Sequence, residues 1–265
     1  MSEQVEDITV SLQNVSINDG ENCPKKEIVK IDIANLRILR QEENNFKVCN
    51  ILKNDKLSRK DLEKECNEKE LDRTLKYITA NIGREFTFTE FHEKCKSDDV
   101  YRLSIAPKIA KNCSRQGSKD ELYVLTVCNN STSKHGINIE QLSNDSIRAH
   151  RHSSKLINKN EYKNGKGEYK QNDCLKSFDA RIFGKKQGYI FAKVCIGCGG
   201  HQDNVFDEAH HFGEWADKYG EEGKIYIILI DTDLINKFKE IEEKYNNNSK
   251  VYVVDHIGLQ NLFVN

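Results

Sequence analysis

Residues 177–196 read SFDARIFGKKQGYIFAKVCI, two runs of alternating side chains around a turn bounded by Gly184 and Gly188. Successive side chains of an extended strand point to opposite faces. Asp179 and Arg181 therefore share one face of the first run, while its apolar residues share the other. The alternation and the glycines together predict an antiparallel hairpin.

The expected register of this hairpin brings two charged residues together. A symmetric turn at 184–188 sets Phe183 opposite Tyr189, and counting inward sets Asp179 opposite Lys193. Cross-strand partners have Cβ atoms about 5 Å apart. A carboxylate can bind Mg²⁺ through a hard oxygen, and a lysine beside it can orient the attacking water or offset charge at a phosphate. The pair predicts a phosphodiesterase site, and the alternative is a simple ion pair on a solvent-facing sheet.

The sequence after residue 175 alternates strands and helices. Segments 225–230 and 251–254 are continuous apolar runs, which predicts two strands buried on both faces of a central sheet. The segment between them has the apolar stripe of a packed helix, formed by Leu234, Phe238, Ile241 and Tyr245. We therefore predict an α/β fold with a central mixed sheet flanked by helices.

The two hairpin strands resemble the catalytic signature of the PD-(D/E)XK nucleases, written here as Phe178-Asp179 and Phe191-Ala192-Lys193. The order of strands and helices that follows is similar to that family's core. Segments 114–121 and 199–204 resemble parts of type II restriction endonucleases of bacterial and large-DNA-virus type, and the resemblance covers residues 105–265. It implies a restriction-endonuclease-like fold and Mg²⁺-dependent, site-specific cleavage of double-stranded DNA. It also implies a homodimer in which each subunit cuts one strand.

The chain departs from the family pattern at two positions. Phe178 replaces a proline that contributes no metal ligand, whereas Phe191 stands where the family usually has Glu or Asp. One metal-binding carboxylate is therefore missing from the strand. Some enzymes of this fold supply that acid from the next helix, where Glu208 lies beside the apolar stripe, and we expect Glu208 to replace it. Asp203 is the competitor, although an Asp at a helix start often serves only as an N-cap.

Further candidate residues enter through the resemblance. An acid from a helix before the hairpin often completes the metal site in this fold, which makes Glu121 a second candidate. The expected catalytic residues are Asp179, Lys193 and Glu208, and the expected Mg²⁺ ligands are Asp179, Glu208 and Glu121. An ordinary surface role is the alternative for Glu121 and for Gln202. The residues expected to support the site or bind DNA are Gln202, Asp203, Arg115, Gln116 and Lys119.

Three segments are predicted along the chain. Residues 1–27 are rich in Ser, Asn, Asp and Glu, which predicts a disordered tail. Residues 28–104 carry apolar residues at helical spacing, which predicts a helical N-terminal region, and residues 105–265 form the nuclease domain. Ser58 is expected to be a helix N-cap. The charged helix after it either contacts DNA as part of a winged-helix element or braces the catalytic domain.

The stretch from Asn129 to Asp173 is rich in Asn, Ser, Lys and Gly and predicts a long basic loop region. Its cationic residues would contact phosphates, and a merely solvated loop is the alternative.

The bulk composition restricts the classes of protein that fit. The 265 residues carry 41 basic and 42 acidic side chains, a formal charge of −1, so DNA binding has to be local rather than due to a global positive field. The sequence contains no run of about 18 apolar residues, so no membrane span is predicted. The acidic opening lacks the order of a secretory signal, which indicates a cytoplasmic protein. Nine cysteines, an odd number, indicate free thiols in a reducing compartment.

A second constellation competes with the nuclease interpretation. Cys195-Ile196-Gly197-Cys198, followed by His201, His210 and His211, has spacing that a zinc site can use. The alternative function is therefore a non-catalytic or zinc-stabilised DNA-binding module that retains the nuclease fold.

Overall fold

The computed structural model describes residues 28–113, 117–143, 146–196 and 202–263. For Gln202 and Asp203 it describes the backbone only. The predicted tail at 1–27 lies outside these residues. The chain divides into two compact units, one of residues 32–117 and one that combines residues up to 31 with those from 118 onward.

Within the described residues, the first unit is helical. Its helices are α1 (Ile33–Ile51), α2 (Arg59–Glu65), α3 (Glu68–Ile82), α4 (Phe88–Ser97) and α5 (Asp99–Ile109). The unit extends beyond the predicted boundary at 104, because α5 crosses that point and buries Ile105 and Ile109 in the helical core. Ser58 is confirmed as the N-cap of α2, since its hydroxyl accepts the Asp61 N–H at 3.1 Å. Such a cap contributes about 1 kcal/mol.

The second unit is built around a mixed sheet. Its elements are α6 (Gly117–Thr132), β1 (Ile137–Gln141), β2 (Ile147–His150), β3 (Leu156–Asn158), α7 (Lys159–Tyr162), β4 (Cys174–Ser177), β5 (Ala180–Gly184), β6 (Gln187–Cys195), α8 (Gln202–Tyr219), β7 (Lys224–Thr232), α9 (Ile235–Tyr245), β8 (Val251–Val254) and α10 (His256–Leu262). The larger sheet has the order β1-β5-β6-β7-β8. Strands β1, β5 and β6 pair antiparallel, whereas β6, β7 and β8 pair parallel. This confirms the predicted α/β fold with a mixed central sheet.

The parallel half of the sheet holds much of the core. Residues 225–231 of β7 are all buried, as predicted for a strand covered on both faces. The same prediction is wrong for β8, where Tyr252 and Val254 are only half-buried because they lie on the face opposite to Val251 and Val253, which pack in the core. Between the sheet and α8 lies an aromatic cluster that includes Phe191, Phe212 and Tyr226.

The predicted register of the hairpin is wrong by two residues. Ile182 pairs with Gly188 and Ala180 pairs with Ile190, whereas the predicted register set them opposite residues 190 and 192. The reason is the parallel neighbour: Gly188, expected in the turn, pairs with Ile225 inside the sheet. A Cβ at position 188 would lie 1.8 Å from the Ile225 carbonyl oxygen, so the close approach of β7 requires glycine there.

The prediction of a long loop at 129–173 is also wrong. Strands β2, β3 and β4 form a second, three-stranded sheet with the order β3-β2-β4. A small cluster of buried residues, Ile157, Tyr162 and Cys174, packs beneath it. The indole N–H of Trp215 on α8 donates to the Ser153 carbonyl at 2.8 Å and joins this sheet to the helix. Sparse apolar residues among many polar ones concealed these short strands from the sequence pattern.

Residues 28–31 are fixed to the end of the chain. The Ile31 N–H donates to Nε2 of His256 at 3.0 Å, and Nδ1 of the same ring lies 2.5 Å from Oδ1 of Asp231. Because Nε2 accepts, Nδ1 carries the proton and donates to the carboxylate. The Gln260 amide bonds both the N–H and the carbonyl of Val29.

Candidate active site

Three oxygen atoms surround the ammonium of Lys193. Its Nζ lies 3.2 Å from Oε1 of Glu121, 3.3 Å from Oδ2 of Asp179 and 2.7 Å from the carbonyl oxygen of Ala192. The side chains of Lys193, Glu121 and Asp179 are 19, 18 and 22% exposed. The cluster is therefore partly shielded from water but open to a ligand.

Backbone hydrogen bonds hold Asp179 in place. The residue lies in a bend between β4 and β5, and its N–H donates to the Ile190 carbonyl at 2.9 Å. Its carbonyl accepts the Leu142 N–H at 2.9 Å, and its carboxylate accepts the Ala192 N–H at 2.8 Å. The carboxylate is thus fixed at the point where β1, β5 and β6 meet.

Glu121 comes from the first turns of α6, 72 residues before Lys193 in the chain. The sequence made Glu121 a second candidate, and the structure brings it into direct contact with Lys193. The Ala192 backbone, which binds both Asp179 and Lys193, was not foreseen. Main-chain groups leave no signal in the residue types, so only the register reveals them.

Burial and charge shift the titration of all three groups. Burial raises the pKa of Asp179 and of Glu121, and the ammonium of Lys193 opposes that rise in each. Burial acts to lower the pKa of Lys193, but the two carboxylates outweigh it and hold the pKa above its usual value. Lys193 is therefore an ammonium at neutral pH, a donor and not a base.

Glu208 lies on α8 and pairs with Lys176, whose Nζ is 3.4 Å from its Oε1. It is electrostatically coupled to the site, since its charge contributes to the raised pKa of Asp179. Its role as replacement ligand stays a prediction, because the direct carboxylate contacts of Lys193 are with Asp179 and Glu121.

Phe191 has a structural reason to be aromatic. Its ring stacks on Phe212 with centroids 5.7 Å apart, and the Lys193 ammonium lies 4.9 Å from its centroid. The position at which the PD-(D/E)XK nucleases carry an acid is in this chain part of the apolar core, so a carboxylate there would be buried against α8.

Several of the predicted site residues lie outside the described residues or have undescribed side chains. Arg115 and Gln116 lie outside the described residues, and nothing is described of the Gln202 and Asp203 side chains. Lys119 is exposed on α6.

The predicted zinc residues do not meet within the described part of the chain. Cys198 and His201 lie outside it, Cys195 is buried, and His211 is exposed. Across 28–113, 117–143, 146–196 and 202–263, no three His, Cys, Asp or Glu side chains are grouped so that they could hold a metal ion.

Comparison with known proteins gives no relative. No family model matches the chain, and neither a curated protein nor a solved structure matches it. Across the described residues, no helix is both long and apolar enough to cross a bilayer.

Proposed function

We propose that the chain is a Mg²⁺-dependent endonuclease that cleaves double-stranded DNA at a specific short sequence, as type II restriction endonucleases do. The observation that carries the proposal is the contact of two carboxylates, those of Glu121 and Asp179, with the ammonium of Lys193. Carboxylate and carbonyl oxygens are the ligands that Mg²⁺ prefers. A homodimer acting on a two-fold symmetric site, one strand per subunit, is part of the proposal.

The order of elements supports the same proposal. A helix that carries an acid precedes an antiparallel meander that carries the Asp and the Lys, and a helix and a parallel strand follow: α6, β1, β5, β6, α8 and β7. This order is similar to the core of the PD-(D/E)XK family, which the hairpin residues resemble. The acid missing at Phe191 is compensated in this proposal by Glu121, with Glu208 as a further candidate.

Asp179 and Glu121 bring two hard carboxylate oxygens beside Lys193, and these two side chains would hold Mg²⁺. When bound, the metal supplies positive charge against the phosphate. Lys193, an ammonium at neutral pH, donates hydrogen bonds to the phosphate or to the attacking water and stabilises the negative charge that develops. The Ala192 N–H keeps Asp179 oriented throughout.

One pair of observations favours a second function. The acid position of the strand is the buried Phe191, and no three-residue metal group occurs within the described residues. Both fit a non-catalytic DNA-binding module that retains this fold.

Plasmid cleavage distinguishes the two functions. The purified protein is incubated with plasmid and genomic DNA in Mg²⁺ or in EDTA, and the same is done for Asp179→Asn, Lys193→Met and Glu121→Gln. We expect discrete fragments that form only with Mg²⁺. Each substitution should reduce the rate of cleavage about 10²-fold or more. Glu140→Gln is the matched control, because Glu140 is an exposed carboxylate that pairs with Arg181 on the same sheet. DNA binding without cleavage, or cleavage that survives Asp179→Asn, would refute the nuclease proposal.

A further inference from the structure

A cavity of 280 Å³ lies between the three-stranded sheet and α8. It adjoins the candidate active site, because Phe191 contributes to its lining and the Lys193 ammonium lies 4.9 Å from the same ring. Glu208, which is electrostatically coupled to Asp179, lines it as well. Its volume is close to the lower end of small-molecule pockets, roughly 300 Å³, which leaves room for one small ligand and excludes a duplex.

Buried aromatic rings form the floor of the cavity. Phe191 and Phe212 line it, but their rings are only 2 and 3% exposed and pack on each other at an interplanar angle of 22°. Tyr162 adds a third aromatic ring. These rings close the cavity beneath a ligand, and Arg148 already covers the face of Tyr162.

Two anchored guanidinium groups line the wall. Arg148 lies over the Tyr162 ring at 4.2 Å and donates to the Leu175 carbonyl at 3.0 Å. Arg151 donates from Nε to the Asn172 carbonyl at 3.2 Å. Because these contacts already restrict both side chains, little conformational entropy remains to be lost when an anion binds.

Charged and amide side chains also line the cavity. Three cationic side chains line the cavity, Arg148, Arg151 and Lys176, against one carboxylate, Glu208. Gln171 and Asn172 are exposed and supply amide donors and acceptors. The excess of positive charge matches the phosphate of a nucleotide, and the two amides match the hydrogen-bonding edge of its base.

We propose that this cavity binds a single nucleotide that is rotated out of the DNA duplex beside the bond to be cut. The proposal rests on the nuclease function, since the cavity and the candidate active site share Phe191. Displacing a base exposes its hydrogen-bonding edge to Gln171 and Asn172. The cavity would thus add to the sequence discrimination that groove contacts give.

Mononucleotide binding tests the cavity independently of cleavage. Trp215, the chain's single tryptophan, has its ring centroid 6.4 Å from that of Phe212 and reports on the pocket by fluorescence. Titration with each deoxynucleoside 5′-monophosphate should give a saturable change, and deoxyribose 5-phosphate should bind at least fivefold more weakly. The variant Gln171→Ala/Asn172→Ala should weaken nucleotide binding at least threefold, whereas Asn160→Ala, an exposed amide on α7, should leave it unchanged. No saturable binding by any mononucleotide overturns the proposal.

A second measurement tests the rotated base. Duplexes with 2-aminopurine at each position flanking the mapped cut are mixed with the protein in Ca²⁺, which is used to prevent cleavage. At one position the fluorescence should rise severalfold, and the rise should diminish in Gln171→Ala/Asn172→Ala. Cleavage with no rise at any position overturns the extrahelical nucleotide and leaves the nuclease intact. Mononucleotide binding without plasmid cleavage refutes the nuclease and leaves the cavity as a nucleotide site.

Discussion

The carboxylate of Asp179 lies 3.3 Å from the ammonium of Lys193, although the β5–β6 pairing is shifted by two residues from the register that would set these residues opposite each other. The contact survives the altered register because a shift of two residues leaves every side chain on its original face. The long lysine side chain spans the remaining distance, and Glu121 approaches the same ammonium from α6.

Lys193→Met should destabilise the fold as well as abolish activity. It leaves the carboxylates of Asp179 and Glu121 facing each other in a partly buried site without their shared cation. A loss of about 1–3 kcal/mol in the free energy of unfolding is expected, measured by urea denaturation at neutral pH. Lys186→Met, an exposed lysine in the hairpin turn, is the control and should change little. Equal stability of the two variants would mean that Lys193 is a solvated surface charge.

Mg²⁺ should raise the melting temperature of the protein. A ligand that binds only the folded state adds about 2.7 kcal/mol at one hundred times its dissociation constant. The increase should disappear in Asp179→Asn and in Glu121→Gln and persist in Glu140→Gln. If Glu208→Gln abolishes the increase while Glu121→Gln does not, Glu208 is the ligand and the assignment of Glu121 is wrong.

The pH dependence of stability should show the raised carboxyl pKa values. With the pKa of Asp179 and of Glu121 higher in the folded protein, the folded state binds more protons than the unfolded chain. Their contribution is therefore complete below the ordinary carboxyl range and is lost as the pH rises through the raised values. From about pH 4 upward, the free energy of unfolding of the wild type should fall relative to that of Asp179→Asn/Glu121→Gln. Parallel curves would indicate that these carboxyls titrate normally.

The pH dependence of cleavage follows from the same groups. Metal binding requires ionised carboxylates, so the acidic limb of kcat/KM should lie above the ordinary carboxyl range. Glu121→Gln should move that limb, and Glu140→Gln should not. An acidic limb at the ordinary carboxyl value would show that neither buried carboxyl controls the rate.

Asp231→Ala should loosen the attachment of residues 28–31. The substitution leaves the Nδ1–H of His256 without its acceptor in a buried position, at a cost of about 1–3 kcal/mol. Asp231→Asn keeps an acceptor and should cost less. Urea denaturation measures both, and hydrogen exchange of the Ile31 amide should accelerate in Asp231→Ala. Unchanged exchange at Ile31 would show that the histidine does not hold this segment.

The amino-acid sequence indicated the α/β class and the proximity of Asp179 to Lys193. Both follow from local rules: continuous apolar runs indicate a buried strand such as β7, and side-chain alternation fixes faces without fixing partners. The N-cap at Ser58 was equally local, since a hydroxyl and the N–H three residues later are all that it requires.

The register of β5 and β6, the contact of Glu121 with Lys193 and the cavity depend on tertiary packing. Gly188 lies in the sheet rather than in the turn because it pairs with Ile225 of β7. The hairpin sequence alone does not indicate this pairing. Glu121 and Lys193 meet across 72 residues of chain, and Arg148 and Phe212 meet at a cavity only because the small sheet packs on α8. Such contacts depend on how whole elements pack, whereas residue patterns report only what neighbours along the chain do.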